Sequence, residues 1–187
     1  INPHAKTYML QDDTTFNHQF LINYFSSADT ASSESDWTFA LSGVQVSKGR
    51  YSYDDYNRLK EPFSVDYFHL EADSVNLLVT DFVFNKDTTQ INIERLSLTE
   101  KSGFDLGLLK AQATIYSGVF DLRQLKIKTG ETVIEGSYAM FAESFSDYTD
   151  YNNKVSMDGD LHSTVINLND LAYFVPAMKG IRNKVFI

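Results

Sequence analysis

The chain has no cysteine, which excludes a disulfide framework and any thiolate metal site and leaves every compartment open, an oxidising one included. No run of about 18 apolar residues occurs, so no segment is built to cross a membrane as a helix. No secretory signal pattern is present either. Proline and glycine are scarce, 3 and 9 of 187 residues, which argues against a disordered or fibrous chain. Positive charge is short as well: 16 Lys and Arg stand against 25 Asp and Glu, a net charge of −9. Phosphate binding needs a basic face, so nucleic acid is disfavoured as a partner, and so is an anionic membrane surface as a general docking site. The surplus of carboxylates serves solubility. Glycine-rich phosphate loops, a Gly-x-Ser-x-Gly elbow and Asn-x-Ser/Thr acceptor sites are all missing.

What the chain has is alternation. From Trp37 to Leu168 apolar and polar residues take turns: Trp37, Phe39, Leu41; Val75, Leu77, Val79; Ile91, Ile93; Leu125, Ile127; Val155, Met157. Period two marks strands with one apolar and one wet face. Aromatic residues reach 14%, with 14 Phe and 11 Tyr, which suits strands better than helices. The length allows one large domain and not two comfortable ones.

Along the chain, residues 3–12 carry a weak strand pattern around Tyr8 and Leu10. Asp12-Asp13-Thr14-Thr15 then precedes Phe16, Phe20, Leu21, Tyr24 and Phe25 at helical spacing, which predicts a short amphipathic helix over about 15–26. Its apolar face is expected to pack on the sheet as a partial lid. A Ser-rich loop follows over 26–36, then a β region over 37–168. Trp37–Val46 slips its phase at Ser42-Gly43, which suggests a bulge. Lys48-Gly49 reads as a turn, and Asn85–Thr89 as a hairpin loop. Separate short strands are expected at Val65–Ala72 and Val75–Phe84, at Phe104–Leu109 and Ala111–Tyr116, and at Val155–Leu161 and Thr164–Leu168. Asp170–Met178 predicts a second short helix. Short strands joined by tight turns form an antiparallel meander, since parallel crossovers need intervening helices. The chain starts at Ile1 and ends in Lys184-Val185-Phe186-Ile187, which reads like a strand just beginning, so it is expected to be a piece of a longer protein.

Candidate chemistry is sparse. His4, His18, His69 and His162 sit on separate elements, without metal-ligand spacing. The acidic pairs Asp12-Asp13, Asp54-Asp55 and Asp158-Gly159-Asp160 lack the further ligands of a calcium loop. No pair is singled out as glycosidase carboxylates. Tyr51, Tyr53 and Tyr56 read as ordinary strand tyrosines rather than a sugar-stacking platform. No catalytic residue, cofactor or metal is expected, and the chain is not expected to be an enzyme.

Several stretches occur in a telling order: Trp37-Thr38-Phe39, Val44-x-Val46, Tyr51-Ser52-Tyr53-Asp54-Asp55-Tyr56-Asn57, Leu96-Ser97-Leu98-Thr99-Glu100-Lys101-Ser102-Gly103-Phe104, Leu122-x-x-Leu125-x-Ile127-x-Thr129, Val133-Ile134-Glu135-Gly136, and Asn169-Asp170-Leu171-Ala172-Tyr173-Phe174 before Pro176. This order resembles the TamB-like (translocation and assembly module) proteins of the AsmA superfamily, in the form found in Bacteroidota. The resemblance implies a segment of a periplasmic bridge, anchored in the inner membrane of a Gram-negative bacterium, that carries phospholipid toward the outer membrane. It also implies support of outer-membrane biogenesis with a barrel partner of the Omp85 type.

The residues themselves predict a mainly β chain, an antiparallel meander curved into an open groove with one apolar face, plus one or two short helices. The expected lipid lining is Leu77, Val79, Ile91, Ile93, Leu96, Leu98, Ile115, Leu122, Leu125, Ile127, Ile134 and Tyr138. Their period-two phase should put them on one face, against phospholipid acyl chains. The alternative is a closed β-sandwich, a ligand- or carbohydrate-binding surface domain, in which a second sheet about 10 Å away covers the same residues.

Overall fold

The computed structural model describes residues 2–20, 23, 38–62, 64–85 and 88–187. Nine strands follow one another: β1 (His4–Met9), β2 (Thr38–Asp55), β3 (His69–Asn85), β4 (Thr88–Glu100), β5 (Asp105–Tyr116), β6 (Val119–Thr129), β7 (Thr132–Phe141), β8 (Ser156–Asn167) and β9 (Lys184–Phe186). They lie side by side in sequence order in a single open sheet. From β2 to β9 every neighbour is antiparallel. The expected meander therefore holds from β2 onward. At the β1 edge it is corrected: β1 pairs parallel with β2, His4 opposite Arg50 and Met9 opposite Asp55.

Local chemistry explains the hairpins. The β5–β6 connection is the two residues Ser117-Gly118, with φ of 42° and 78°, and Tyr116 pairs with Val119 across it. Two successive positive φ values give the turn whose twist matches the strands it joins. The β6–β7 connection is equally short, with Gly130 at φ 52° between paired Thr129 and Thr132.

The strands are longer than the short pieces expected. Lys48-Gly49 is not a turn: β2 runs straight through it, with Lys48 at φ 50° and its N–H donating to Asn76 Oδ1 (3.1 Å). The expected breaks inside β3 and β8 hold single left-handed residues instead, Ser74 (φ 54°) and Ser163 (φ 51°). In β5 the expected break at Lys110 is no slip at all: Leu109 and Ala111 keep one face, and the register shift between Lys110 and Gln112 comes from an extra residue on β6, beside Gln124 (φ 50°). A one-residue bulge resets the side-chain phase without breaking the ladder, so the phase slips read as strand ends in β3 and β8 are bulges within one strand. Bulges also bend a strand and raise its twist.

Asp170–Met178 is not a helix. It is two 3-10 turns, Asp170–Tyr173 and Pro176–Met178, because Pro176 removes the N–H that a continuing helix would need. A further 3-10 turn at Phe145–Asp150 runs into a helical turn at Tyr151–Lys154 between β7 and β8. Of the helix expected over 15–26, only residues 15–20 and 23 are described, with helical geometry at Gln19, Phe20 and Asn23. Leu21, Tyr24, Phe25 and the loop over 26–36 lie outside the described residues.

Among the described residues the buried apolar set is small: Val65, Ala72, Val79, Ala111, Ala113 and Leu125. Three of the six are alanines. All nine strands lie in one sheet, so among the described residues no second sheet packs on this one.

Candidate functional site

Residues directly opposite on neighbouring strands project to the same face, so the ladder registers trace each face rung by rung. One rung runs Val46–Leu77–Leu96–Leu109–Ile127–Ile134 across β2 to β7. A second runs Ile91–Ala113–Leu122–Tyr138–Gly159 across β4 to β8. A third runs Phe39–Phe84–Thr89–Ile115–Phe120–Met140–Met157 across β2 to β8. Between them lie Val44–Val79–Ile93–Ala111 and Leu125–Gly136–Leu161. Leu98 sits two residues beyond Leu96 and pairs with Leu106. All twelve expected lining residues therefore share one face. Val79 and Leu125 are buried, each 5% exposed, and the other ten are half-buried.

This face survives the phase slips because each extra residue is either met by a slip on the neighbouring strand, as between β2 and β3, or absorbed as a bulge that shifts the register, as in β4 and β6. Thr89, Ile91 and Ile93 of β4 and Ala111, Ala113 and Ile115 of β5 alternate without interruption, and the β3 partners of Ile93 and Thr89 are Val79 on one side of Asp81 (φ 54°) and Phe84 on the other. β2 slips opposite it, at Ser42-Gly43, so Phe39 and Leu41 stay level with Val44 and Val46. In β6 the slip falls at Gln124 (φ 50°), between Leu122 and Leu125.

The reverse face is mostly polar, with Leu78, Val83, Leu108, Val133 and Val165 as apolar members. Lys110–Lys126–Glu135–His162 form one rung, and Thr114–Asp121–Ala139–Asp158 another. Ion pairs link Lys110 with Glu94 (2.9 Å), Arg123 with Asp121 (3.0 Å) and Lys126 with Glu135. The hydrogen bond from Lys110 holds the Glu94 carboxyl below the usual glutamate range, and Lys126 does the same for Glu135. These pairs are solvated and add little to stability.

Two segments flank the apolar face where strands end. At one end the 3-10 turn at Phe145–Asp150 sets Phe145 and Tyr148 edge-on against Phe120, with ring centroids 5.8 and 5.2 Å away. Tyr148 OH donates to Gly118 O (2.9 Å). Burial, then a hydrogen bond with Tyr151, pushes the Tyr138 hydroxyl up to about 12, so it stays neutral on this face. At the other end Tyr173 and Phe174 pack edge-on against Phe104 at 5.8 and 4.9 Å. Val65 N–H donates to Tyr173 O (2.8 Å), which ties the 57–68 loop to the same place. Phe16 packs on Tyr53 at 5.1 Å, whereas Phe20 is 66% exposed, so only the first of the two covers the sheet.

Alternation alone does not find three buried polar residues on or beside this face. Glu100, two residues beyond Leu98, accepts from Glu71 N–H (3.3 Å) and Ser102 N–H (2.7 Å). Thr132, two residues before Ile134, donates to Asp170 Oδ2 (2.8 Å) and accepts from Asn167 N–H (3.0 Å). Thr164 accepts from Glu135 N–H (3.1 Å) just after the Ser163 bulge. Each closes the backbone at a strand end or bulge. Among the described residues no group of three His, Asp or Glu side chains is placed to hold a metal ion. His69 is buried between Asp54 (3.3 Å) and the Arg58 carbonyl (3.0 Å), a packing role in the 57–68 loop.

No family model, curated protein or solved structure matches the chain. No helix among the described residues is long and apolar enough to cross a membrane, which says nothing of a β-barrel. The case for function therefore rests on the face itself.

Proposed function

We propose that the apolar face is a lane for phospholipid acyl chains, within a segment of a periplasm-spanning, TamB-like lipid-transfer protein. One observation carries this: an unbroken apolar rung traverses six adjacent strands, and a second traverses seven with Thr89 as its one polar member, while most of their side chains stay half-exposed. Monomers rarely expose a contiguous apolar patch of such extent without a partner for it. Strands lie about 4.8 Å apart, so a seven-strand rung runs about 29 Å, close to the roughly 30 Å hydrocarbon thickness of a bilayer. Acyl chains laid along the rungs meet mostly Ile, Leu, Val, Phe and Met, with Thr89, Ala113, Tyr138 and Gly159 among them. A fully buried methylene contributes about 0.8 kcal/mol, and one covered on a single side about half that. Two chains are then held without a pocket, and the uniform lining leaves no deep minimum to stop sliding. Headgroups stay in water at the open side. No catalytic group takes part. Anchoring of the parent chain in the inner membrane and cooperation with an Omp85-type barrel belong to the same proposal.

The test is to purify the protein without detergent, extract it and quantify phospholipid by mass spectrometry, then offer it vesicles carrying a fluorescent phospholipid. Co-purifying phospholipid and uptake from the vesicles are expected. A lipid-free protein that takes up none overturns the proposal, and binding of an oligosaccharide by such a protein would favour a surface binding domain.

A further inference from the structure

β1 covers only the Arg50–Asp55 stretch of β2. Among the described residues nothing pairs with the outer side of β2 from Thr38 to Gly49. This open edge reads Thr-Phe-Ala-Leu-Ser-Gly-Val-Gln-Val-Ser-Lys-Gly, with one charge, Lys48, and no proline. Soluble proteins blunt long edge strands with charges, prolines or cover. The opposite open edge, on β8, carries Asp158, Asp160 and His162 along the stretch that β9 leaves free. Among the described residues the β2 edge has no such defence, and it exposes Phe39, Leu41 and Val44 at 46%, 39% and 38%.

This edge is complementary to itself. When two copies meet antiparallel about a two-fold axis normal to the sheet and centred between Ser42 and Gly43, Leu41 faces Val44 and Phe39 faces Val46 of the other copy. On the reverse face Ala40 then faces Gln45 and Thr38 faces Ser47. Every apolar-face residue meets an apolar-face residue, because the phase slip at Ser42-Gly43 meets its own copy. The sheet already contains this arrangement: β2 and β3 slip opposite one another while their register stays constant from Thr38–Asn85 to Val46–Leu77. An axis normal to the sheet also keeps both apolar faces on one side, and as a two-fold it makes a closed isologous pair.

We propose that the occupant of this edge is a second copy of the chain, paired β2 to β2 in that register, which joins two nine-stranded sheets into one. The rungs of one copy then continue into those of the other, Phe39 leading to Val46 and Leu77 of its partner.

The cysteine-free chain makes the test clean. In A40C/Q45C the two thiols of one copy lie five strand positions apart, about 17 Å, beyond the roughly 7 Å that limits a disulfide. Any disulfide is therefore between copies. Sedimentation of the unmodified protein should give twice the monomer mass. Mild oxidation should convert A40C/Q45C to a covalent dimer, whereas A40C and Q45C alone, with like positions out of register, should stay largely uncrosslinked. Leu41→Lys should halve the sedimenting mass with unchanged circular dichroism. A monomer at the highest soluble concentration overturns the proposal. So does crosslinking of either single variant as fast as the double variant, which would report random collision or another register. If Leu41→Lys unfolds, the cysteine series still decides.

Discussion

A carboxylate placed in the lane distinguishes a lipid-facing surface from a closed core, and two rung positions give different answers. Ile127 is half-buried between Leu109 and Ile134, with its outer side open. Full burial of such a side chain contributes about 1.5–3 kcal/mol, so half-burial forfeits roughly half of that. The new carboxylate can turn to water, which keeps the total cost of Ile127→Asp near 2 kcal/mol. For a chain of this size that lowers Tm by about 4–8 °C and leaves a protein of ordinary stability, about 5–15 kcal/mol, folded. Leu125 is 5% exposed. An uncompensated charge there costs about 3–5 kcal/mol beyond the lost packing of about 1.5–3 kcal/mol, which consumes most of the stability of an ordinary domain. Thermal melting beside bound-phospholipid quantification reads both. Ile127→Asp is expected to melt slightly early and to lose most of its lipid, while Leu125→Asp melts at least twice as many degrees early or fails to fold. An Ile127→Asp protein with a full lipid load refutes the lane. Equal collapse of both variants points to a closed core.

Other perturbations follow from single contacts. Thr132→Val removes the hydroxyl that links Asp170 to the Asn167 N–H, and should cost about 1–3 kcal/mol, read as an earlier thermal melt with faster amide exchange at Asn167. Gly136 holds φ 144°, and a Cβ there would meet Asp160 O at 2.0 Å. Gly136→Ala should therefore cost at least about 3 kcal/mol and open the β7–β8 pairing, visible in hydrogen exchange of both strands. Burial pushes the Asp66 carboxyl up, but the Glu61 and Phe68 N–H groups outweigh it, with His69 and Lys101 adding to their effect, and hold it below the usual aspartate range. Its contribution is thus complete above the ordinary aspartate pKa and is lost as pH falls through the folded value. The Glu61 and Phe68 amide signals should shift together in that acid window, and Asp66→Asn should abolish the transition.

The apolar positions were legible in the chain because period two is a local property. Leu77, Val79, Ile91, Ile93, Leu125 and Ile127 need only their own neighbours to show which face they take. Strand ends were less legible. Lys48-Gly49, Ser74 and Ser163 carry turn chemistry, yet each serves as a bulge, since the deciding partner lies on another strand, as Asn76 does for Lys48. The parallel β1–β2 pair sets His4–Met9 against Arg50–Asp55, a pairing across more than 40 positions that no short-range pattern encodes. Glu100, Thr132 and Thr164 were missed for the opposite reason: polar residues in apolar phase break the alternation, and their partners come from up to 38 positions away.

The single left-handed residues have a consequence for how this sheet tolerates change. Each strand is read in steps of two, and residues such as Gln124 in β6 and Ser163 in β8 act as a third beat that restores the step after it has slipped. Substituting Gln124 alters one exposed side chain. Deleting it turns Leu125 and Ile127 to the charged face and Lys126 onto the apolar one, although hardly any composition has changed. The surface is therefore robust to exchange of residue type and fragile to any change in their count, as a text in a fixed frame is.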